Sequence, residues 1–433
     1  MPLDDASSTV RIDPARRLEG SVRVPGDKSI GHRALLFGAI ARGATHIRGL
    51  PDGQDVASTA RVLAGLGVRI EGEGPDRVVH GRGVDGLRAP DGPLDCGNSG
   101  TTMRMMAGLL AGRPFESVLV GDESLSRRPM RRVLEPLEAM GARTRSTEGH
   151  APIAIHGGPL HGIHCSLPVA SAQVKSALLL AGLQADGPTV VEEPGPSRDH
   201  SERMLRAMGA RLTVESRRVT IEPAAELAPL DVQVPGDVSS AAFFLVAGSI
   251  VREGRVVIER VGVNPTRTGV VDVLRAMGAS IEFRDERIQG GEPVADLVVS
   301  PRPLRGVEVA GEDLVVRTID ELPVLAAAAS LATGRTVVLG AGELRIKETD
   351  RITAIVDGLR ALGARIEELE DGFAVEGPAR LRGAPVDSRG DHRIAMALAV
   401  AALAAEGPTT IANAGAVAIS YPGFFRTLDS LRG

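Results

Sequence analysis

The chain has 433 residues, enough for two domains of roughly 200 residues each, with 43% hydrophobic and 24% charged residues, as in an ordinary globular protein. A net charge of −5 argues against general nucleic-acid affinity, and 2% aromatic residues with no Trp argue against a base-stacking surface. Two cysteines, Cys96 and Cys165, make neither a disulfide framework nor a zinc spacing; MPLDDASSTV lacks the apolar segment of a signal peptide, and no apolar run of about 18 residues suggests a membrane helix. A cytoplasmic protein without membrane, nucleic-acid or metal partners is expected.

In chain order, a polar loop opening an apolar, alanine-rich helix recurs six times. The copies are GDKSIGHRALLFGAIA (26–41), GNSGTTMRMMAGLLAG (97–112), ASAQVKSALLLAGL (170–183), GDVSSAAFFLVAGSI (236–250), IDELPVLAAAASLATG (319–334) and GDHRIAMALAVAALAAEG (390–407). They recur at a period of roughly 70 residues. Between them lies a second pattern, a helix-like stretch, a glycine, then a strand-like run: VLAGLGVRIE (62–71), PLEAMGARTR (136–145), MLRAMGARLTV (204–214), VLRAMGASIEF (273–283) and GLRALGARIEE (358–368). Gly67, Gly141, Gly209, Gly278 and Gly363 are predicted to end these helices in a left-handed conformation. The closing LDSLRG looks like a sixth, truncated copy. VRVPGDKSI (22–30) and VQVPGDVSS (232–240) lie three units apart, so a boundary between two three-unit domains is expected near 235.

The first helix of each unit is apolar nearly all round and must be enclosed. Its polar loop leaves backbone N–H groups and a positive dipole end free. Parallel helices within a domain would bring three such ends to one mouth, which would attract multiply charged anions. Helix capping alone explains the Ser, Asp and Asn of these loops. It does not explain the cations that follow: Lys28, Arg33, Arg104, Arg127, Arg128, Lys175, Arg198, Lys347, Arg351 and Arg393. Only three lysines occur in the chain, Lys28, Lys175 and Lys347, and all lie in or beside these loops. Arginine forks hold carboxylate and phosphate in bidentate fashion, so a ligand with at least two anionic groups is implied. Asp320, Glu321, Glu348 and Asp350 lie among the cations. An acid there keeps its charge and can act as a base, and Lys28 and Lys347, near each other's charge, would be pushed below an ordinary amine. HGIHC (161–165) lacks the partner ligands of a metal site.

From about residue 10 onward these motifs resemble the enolpyruvylshikimate-phosphate synthase family, in its bacterial second class. They read PGDKSIGHR, GNSGTTMR, SLSRRPM, ASAQVKSA, SRDH, NPTRTG, IDELP, LRIKETDR and DHRIAM. The resemblance implies an α/β fold, a two-domain inside-out barrel of six βαβαββ repeats, three per domain. The domains would comprise 25–234 and 1–24 plus 235–433, with the active site in the cleft between them. It implies transfer of the enolpyruvyl group of phosphoenolpyruvate to the 5-hydroxyl of shikimate 3-phosphate, by addition and elimination through a tetrahedral ketal, without cofactor. Lys28, Ser29, Arg33 and Lys347 should hold the shikimate part, and Ser171, Ala172, Gln173 and Arg198 its phosphate side. Phosphoenolpyruvate should meet Lys28, Asn98, Gly100, Arg128, Gln173, Arg351 and Arg393, with Arg104 in support. Asp320 should accept the 5-hydroxyl proton, Glu348 should move the proton at the methylene carbon, and His392 should support Glu348. The resemblance also implies a monomer inhibited by glyphosate, with Gly100 leaving room for the inhibitor.

Three departures stand out. Gly31 replaces a serine of the family motif, Ala172 replaces one hydroxyl of a serine pair, and AISYP (418–422) lacks a lysine carried by some members of the other class. Two other readings of the residues remain. One is the related UDP-N-acetylglucosamine enolpyruvyl transferase, which has a reactive loop cysteine where this chain has SLSRRPM. The other is a non-catalytic anion-binding solenoid, which would have no use for Asp320, Lys347 and Glu348.

Overall fold

The computed structural model describes residues 8–224 and 226–432, and the chain forms two compact units. One is Gly26–Val234; the other runs up to Pro25 and resumes at Pro235. Each has its own apolar core, drawn from residues between Ile30 and Val234 in the first. The second core joins Ile12 to Val24 with Val238 to Leu431.

Among the described residues, twelve helices carry the repeat. In the first unit these are α1 (Lys28–Ile40), α2 (Gln54–Gly65), α3 (Gly100–Ala111), α4 (Arg131–Ala139), α5 (Ala172–Gly182) and α6 (His200–Ala207). In the second they are α7 (Val238–Ile250), α8 (Gly269–Ala276), α9 (Leu322–Leu331), α10 (Arg351–Ala361), α11 (His392–Ala402) and α12 (Phe424–Ser430). The odd-numbered helices are the six apolar stretches of the sequence. They are enclosed on every side; α11, for example, is buried from His392 to Ala402. The even-numbered helices bury one face only. α2, α4, α6, α8 and α10 each stop one residue before a capping Leu or Met, and Gly67, Gly141, Gly209, Gly278 and Gly363 follow with φ of 82°, 108°, 90°, 97° and 91°. A side chain there would strain the left-handed turn that ends the helix.

Five four-stranded sheets and one three-stranded sheet flank these helices, each separate from the next among the described residues. In each four-stranded sheet one edge pair is parallel and the other pairs are antiparallel; in three of the five a strand–helix–strand crossover joins the parallel pair and a hairpin follows. The strand before α1, Arg17–Val22, pairs in parallel with Glu253–Gly262 of the second unit. The strand before α7, Val232–Gln233, pairs with Arg42–Arg48 of the first. The opening strands of the first and fourth repeats are therefore exchanged. In the sixth sheet the hairpin strand is supplied by Val10–Ile12, antiparallel to Thr409–Ala412.

Small side chains let the inner helices approach closely. A Cβ on Gly108 of α3 would lie 2.1 Å from the Ala177 carbonyl oxygen of α5, so only glycine fits there. Four of the eight phenylalanines join the single tyrosine in one cluster between α7 and α12: Phe244 and Phe424 pack tilted or edge-on with Tyr421, and Phe243 and Phe425 pack edge-on against Phe424. AISYP thus supplies a core aromatic, and burial pushes the Tyr421 hydroxyl up to about 12. No described helix is long and apolar enough to cross a membrane.

Candidate active site

In each unit the inner helices point the same way. At the far end of the second unit, the C-termini of α7, α9 and α11 line one hollow of about 610 Å³ through Ile250, Leu331 and Leu403. Their N-termini are tied together by side chains. Ser239 in the first turn of α7 hydrogen-bonds Glu321, the residue before α9. Arg393 Nη1 in α11 donates to the Asp320 carbonyl at 3.1 Å. In the first unit, Gln173 Nε2 at the start of α5 donates to Thr101 Oγ1 at the start of α3, at 2.8 Å. Each unit thus presents a mouth built from helix N-termini, which favours anions.

The mouth of the second unit mixes acids and cations around Arg351, the first residue of α10. Its side chain is only 1% exposed. Nε donates to Asp391 Oδ2 at 2.7 Å, Nη2 to Glu348 Oε2 at 2.5 Å, and Nη1 lies 3.5 Å from Asp320 Oδ1. These carboxylates hold the guanidinium firmly charged despite its burial. Arg393 Nη2 approaches Asp320 Oδ2 at 3.8 Å. Asp391 caps α11 by accepting from the N–H of Arg393 at 2.8 Å, and His392 is buried beside it. Lys347 ends the short helical turn Gly342–Ile346. Burial pushes its amine below the usual range, Arg351 pushes the same way, and Asp320, Glu348 and Glu343 pull only partly back. Asp320, Lys347, Glu348, Arg351, His392 and Arg393 are thus gathered on neighbouring helix starts.

The first unit gathers the rest. Lys28 opens α1, and its Nζ lies 2.8 Å from Asp55 Oδ2 in the first turn of α2. Asp27 caps α1 from behind, accepting from the Ile30 N–H at 3.0 Å. Arg198 Nη1 donates to Ser29 Oγ at 3.1 Å. Arg33 is buried, its guanidinium spanning the Ser29 carbonyl (2.9 Å), Ser176 Oγ (2.9 Å) and Ser201 Oγ (2.7 Å). It braces the Ser29 turn from inside.

Around Gly100 the cations interlock. Arg104 Nη1 donates to Gln173 Oε1 at 2.8 Å, and Arg128 Nη2 to Asn98 Oδ1 at 2.6 Å. Asn98 in turn donates to Asp122 at 2.7 Å. Ser171 caps α5, with Ala172 and Gln173 in its first turn.

Two expectations change. Lys175 does not face a ligand: it is enclosed between Glu193 and Glu202. Arg127 is an exposed partner of Glu123. His161 pairs with Asp186 and His164 with Glu192, and no group of three or more potential metal ligands occurs among the described residues. Asp55, Asp391 and Glu193 escaped the sequence reading as functional candidates. Asp391 stands inside the quoted GDHR and could have been found; Asp55 and Glu193 become partners only through packing.

The comparisons with known proteins agree among themselves. Residues 12–428 match the family model for EPSP synthase (3-phosphoshikimate 1-carboxyvinyltransferase). The chain is 53% identical over 416 residues to the 3-phosphoshikimate 1-carboxyvinyltransferase of Acidithiobacillus ferrooxidans, covering 95% of each chain. It is 52% identical over 420 residues to that of Geobacter sulfurreducens, covering 96% of this chain and 98% of the other. In three dimensions it is similar to EPSP synthase from Acinetobacter baumannii, with a TM-score of 0.88, 45% identity and 98% of each chain covered.

Proposed function

The chain belongs to the EPSP synthase family, enzymes that transfer the enolpyruvyl group of phosphoenolpyruvate to shikimate 3-phosphate, and from that premise we propose how its residues share the work. The transfer proceeds by addition and then elimination. The Asp320 carboxylate takes the proton of the 5-hydroxyl as its oxygen adds to C2 of phosphoenolpyruvate, while Glu348 delivers a proton to the methylene carbon. In the second step the Glu348 carboxylate, left by the first proton transfer, takes a proton back from that carbon, the C–H pair forms the double bond, and phosphate leaves with the C–O bonding pair. Lys28 engages the bridging oxygen, and His392 supports Glu348. Arg128, Arg351 and Arg393, with Asn98, Gly100 and Gln173, hold phosphoenolpyruvate. Ser29 and Lys347 hold the shikimate ring, with Arg33 bracing the Ser29 turn from inside, and Ser171, Ala172, Gln173 and Arg198 hold its phosphate. On these assignments the enzyme works in the cytoplasm as a monomer, without cofactor, and glyphosate competes with phosphoenolpyruvate.

The observation that carries this division is the Arg351 guanidinium set among Asp320, Glu348 and Asp391. A purely anion-binding mouth would gain nothing from three carboxylates. A proton-transferring site needs a carboxylate held charged beside cations to act as the base, the part given to Asp320. Phosphate release from the two substrates tests it. Asp320→Asn should lower kcat by about 10²–10⁴-fold, with KM for phosphoenolpyruvate little changed. Undiminished turnover in that variant would remove Asp320 from the role of base.

A further inference from the structure

Lys175 is the lysine for which the reaction has no use. Its side chain is 3% exposed, and Nζ lies 2.7 Å from Glu193 Oε2 and 2.7 Å from Glu202 Oε1. Both carboxylates are as enclosed as the ammonium. Their charge raises the Lys175 amine above its usual range against the opposing effect of burial. Two buried carboxylates sharing one ammonium are costly to assemble, and well-packed apolar side chains would often be as stable or more so. Stability alone is therefore a poor reason for the cluster.

Its connections give a better one. Glu193 Oε1 accepts from the backbone N–H of Ser171 at 3.1 Å, and Oε2 accepts from Ser197 Oγ at 2.8 Å. Ser171 is the cap of α5, and Ser197 precedes Arg198, whose guanidinium reaches Ser29. Glu202 lies in the first turn of α6. One carboxylate thus ties together the two loops that bear Ser171 and Arg198. The ammonium fixes that carboxylate against a helix of the same unit.

We propose that Lys175, Glu193 and Glu202 form a buried clamp that positions Ser171 and Arg198 for the phosphate of shikimate 3-phosphate. They are positioning residues, and the assignment rests on the placing of that phosphate under the proposed function. The clamp also accounts for one of the three lysines in a chain whose other basic side chains are mostly arginine. A compact ammonium can sit 2.7 Å from both carboxylates in an enclosed site, whereas a planar guanidinium is wider and demands more donor contacts.

The test is calorimetric binding of shikimate 3-phosphate to the full-length enzyme, paired with KM for phosphoenolpyruvate. Lys175→Met and Glu193→Gln should each weaken shikimate 3-phosphate binding by about tenfold, because a buried loop contact is left misaligned. KM for phosphoenolpyruvate should stay within about twofold. Lys175→Arg should not restore the affinity. Arg198→Ala is the control for the site itself. If it weakens shikimate 3-phosphate binding while both clamp variants bind normally, the clamp is wrong. Equal losses for both substrates in the clamp variants also overturn it, since they mark general loosening. If Arg198→Ala binds normally, the phosphate has been misplaced and the clamp falls with it. Should Lys175→Met fail to fold by circular dichroism, Lys175→Met/Glu202→Gln, with one buried carboxylate fewer, is judged by the same criteria.

Discussion

Lys28 and Asp55 lie 2.8 Å apart at the starts of two helices, with the ammonium half-buried and the carboxylate enclosed. A guanidinium would place its charge over a wider fork and could not present one compact donor to a single substrate oxygen. Lys28→Arg should fold with a thermal midpoint near that of the wild type yet lose about a hundredfold or more in kcat; near-normal turnover would make Lys28 a bystander. At Gly100 an added Cβ would sit 2.8 Å from Arg104 Nη1, and that guanidinium is held in turn by Gln173. Gly100→Ala should therefore displace the Arg104 tip and crowd a tightly fitted inhibitor more than the substrate. Its inhibition constant for glyphosate should rise by about tenfold relative to KM for phosphoenolpyruvate. Parallel changes in the two constants would count against it. At this scale the sequence was legible where a residue stands in a helix-opening loop, as Lys28, Gly100, Arg351 and Arg393 do. It was not legible for Asp55, 27 residues from Lys28, nor for the inward turn of Lys175. Those depend on which helix packs on which, and no local spacing encodes that.

The helices were the most readable elements. An all-round apolar pattern means enclosure, and a glycine after an amphipathic turn means a left-handed stop; both hold in the structure. Hidden from such patterns is the polar thread that runs between the first three helices. His32 Nδ1 of α1 meets Thr59 Oγ1 of α2 at 2.7 Å. Thr59 meets Thr102 Oγ1 of α3 at 2.7 Å, and Thr102 reaches Ser99, the cap of α3, at 2.8 Å. Burial holds His32 well below its usual range, helped by the charges of Lys28 and Arg33. The folded chain therefore keeps His32 neutral at a pH where the unfolded chain already binds a proton. Stability contributed by the neutral imidazole is complete above about pH 6.5 and falls as pH drops below it, by up to about 1.4 kcal/mol per pH unit, until the lowered folded value is reached. Urea unfolding between pH 7.5 and 5 should show this slope in the wild type and a flatter one in His32→Asn. Equal slopes in the two proteins would mean that His32 is not the group responsible.

For the whole molecule, the two cores share no residue, and Gly26–Val234 is one continuous stretch. A chain of residues 26–234 should fold cooperatively and bind shikimate 3-phosphate weakly, with no turnover because Asp320 and Glu348 are absent. A fragment without a cooperative unfolding transition would show that its core is not self-sufficient. The other unit depends on a segment remote in sequence. Arg17–Val22 pairs with Glu253–Gly262 and buries Leu18 and Val22. Six repeats and a boundary near 235 could be read from the amino acids. The exchange of opening strands could not, because VRVPGD and VQVPGD are nearly the same sequence and either would suit either sheet.

Val10–Ile12 takes the place in the sixth sheet that a hairpin strand fills in the other five. Nearby, the Glu19 N–H donates to the Leu431 carbonyl at 2.8 Å, and the Ser8 carbonyl accepts from Ala414. The first and last described stretches are thus fastened to one region of one unit, and the order of the six repeats closes on itself between the sixth and the first. The point at which the chain opens is movable. A chain with its two ends joined by a short flexible linker and reopened between Gly290 and Gly291, at the tip of the hairpin of Ser280–Gln289 and Glu292–Ser300, should keep every sheet and release phosphate at a rate close to that of the natural order.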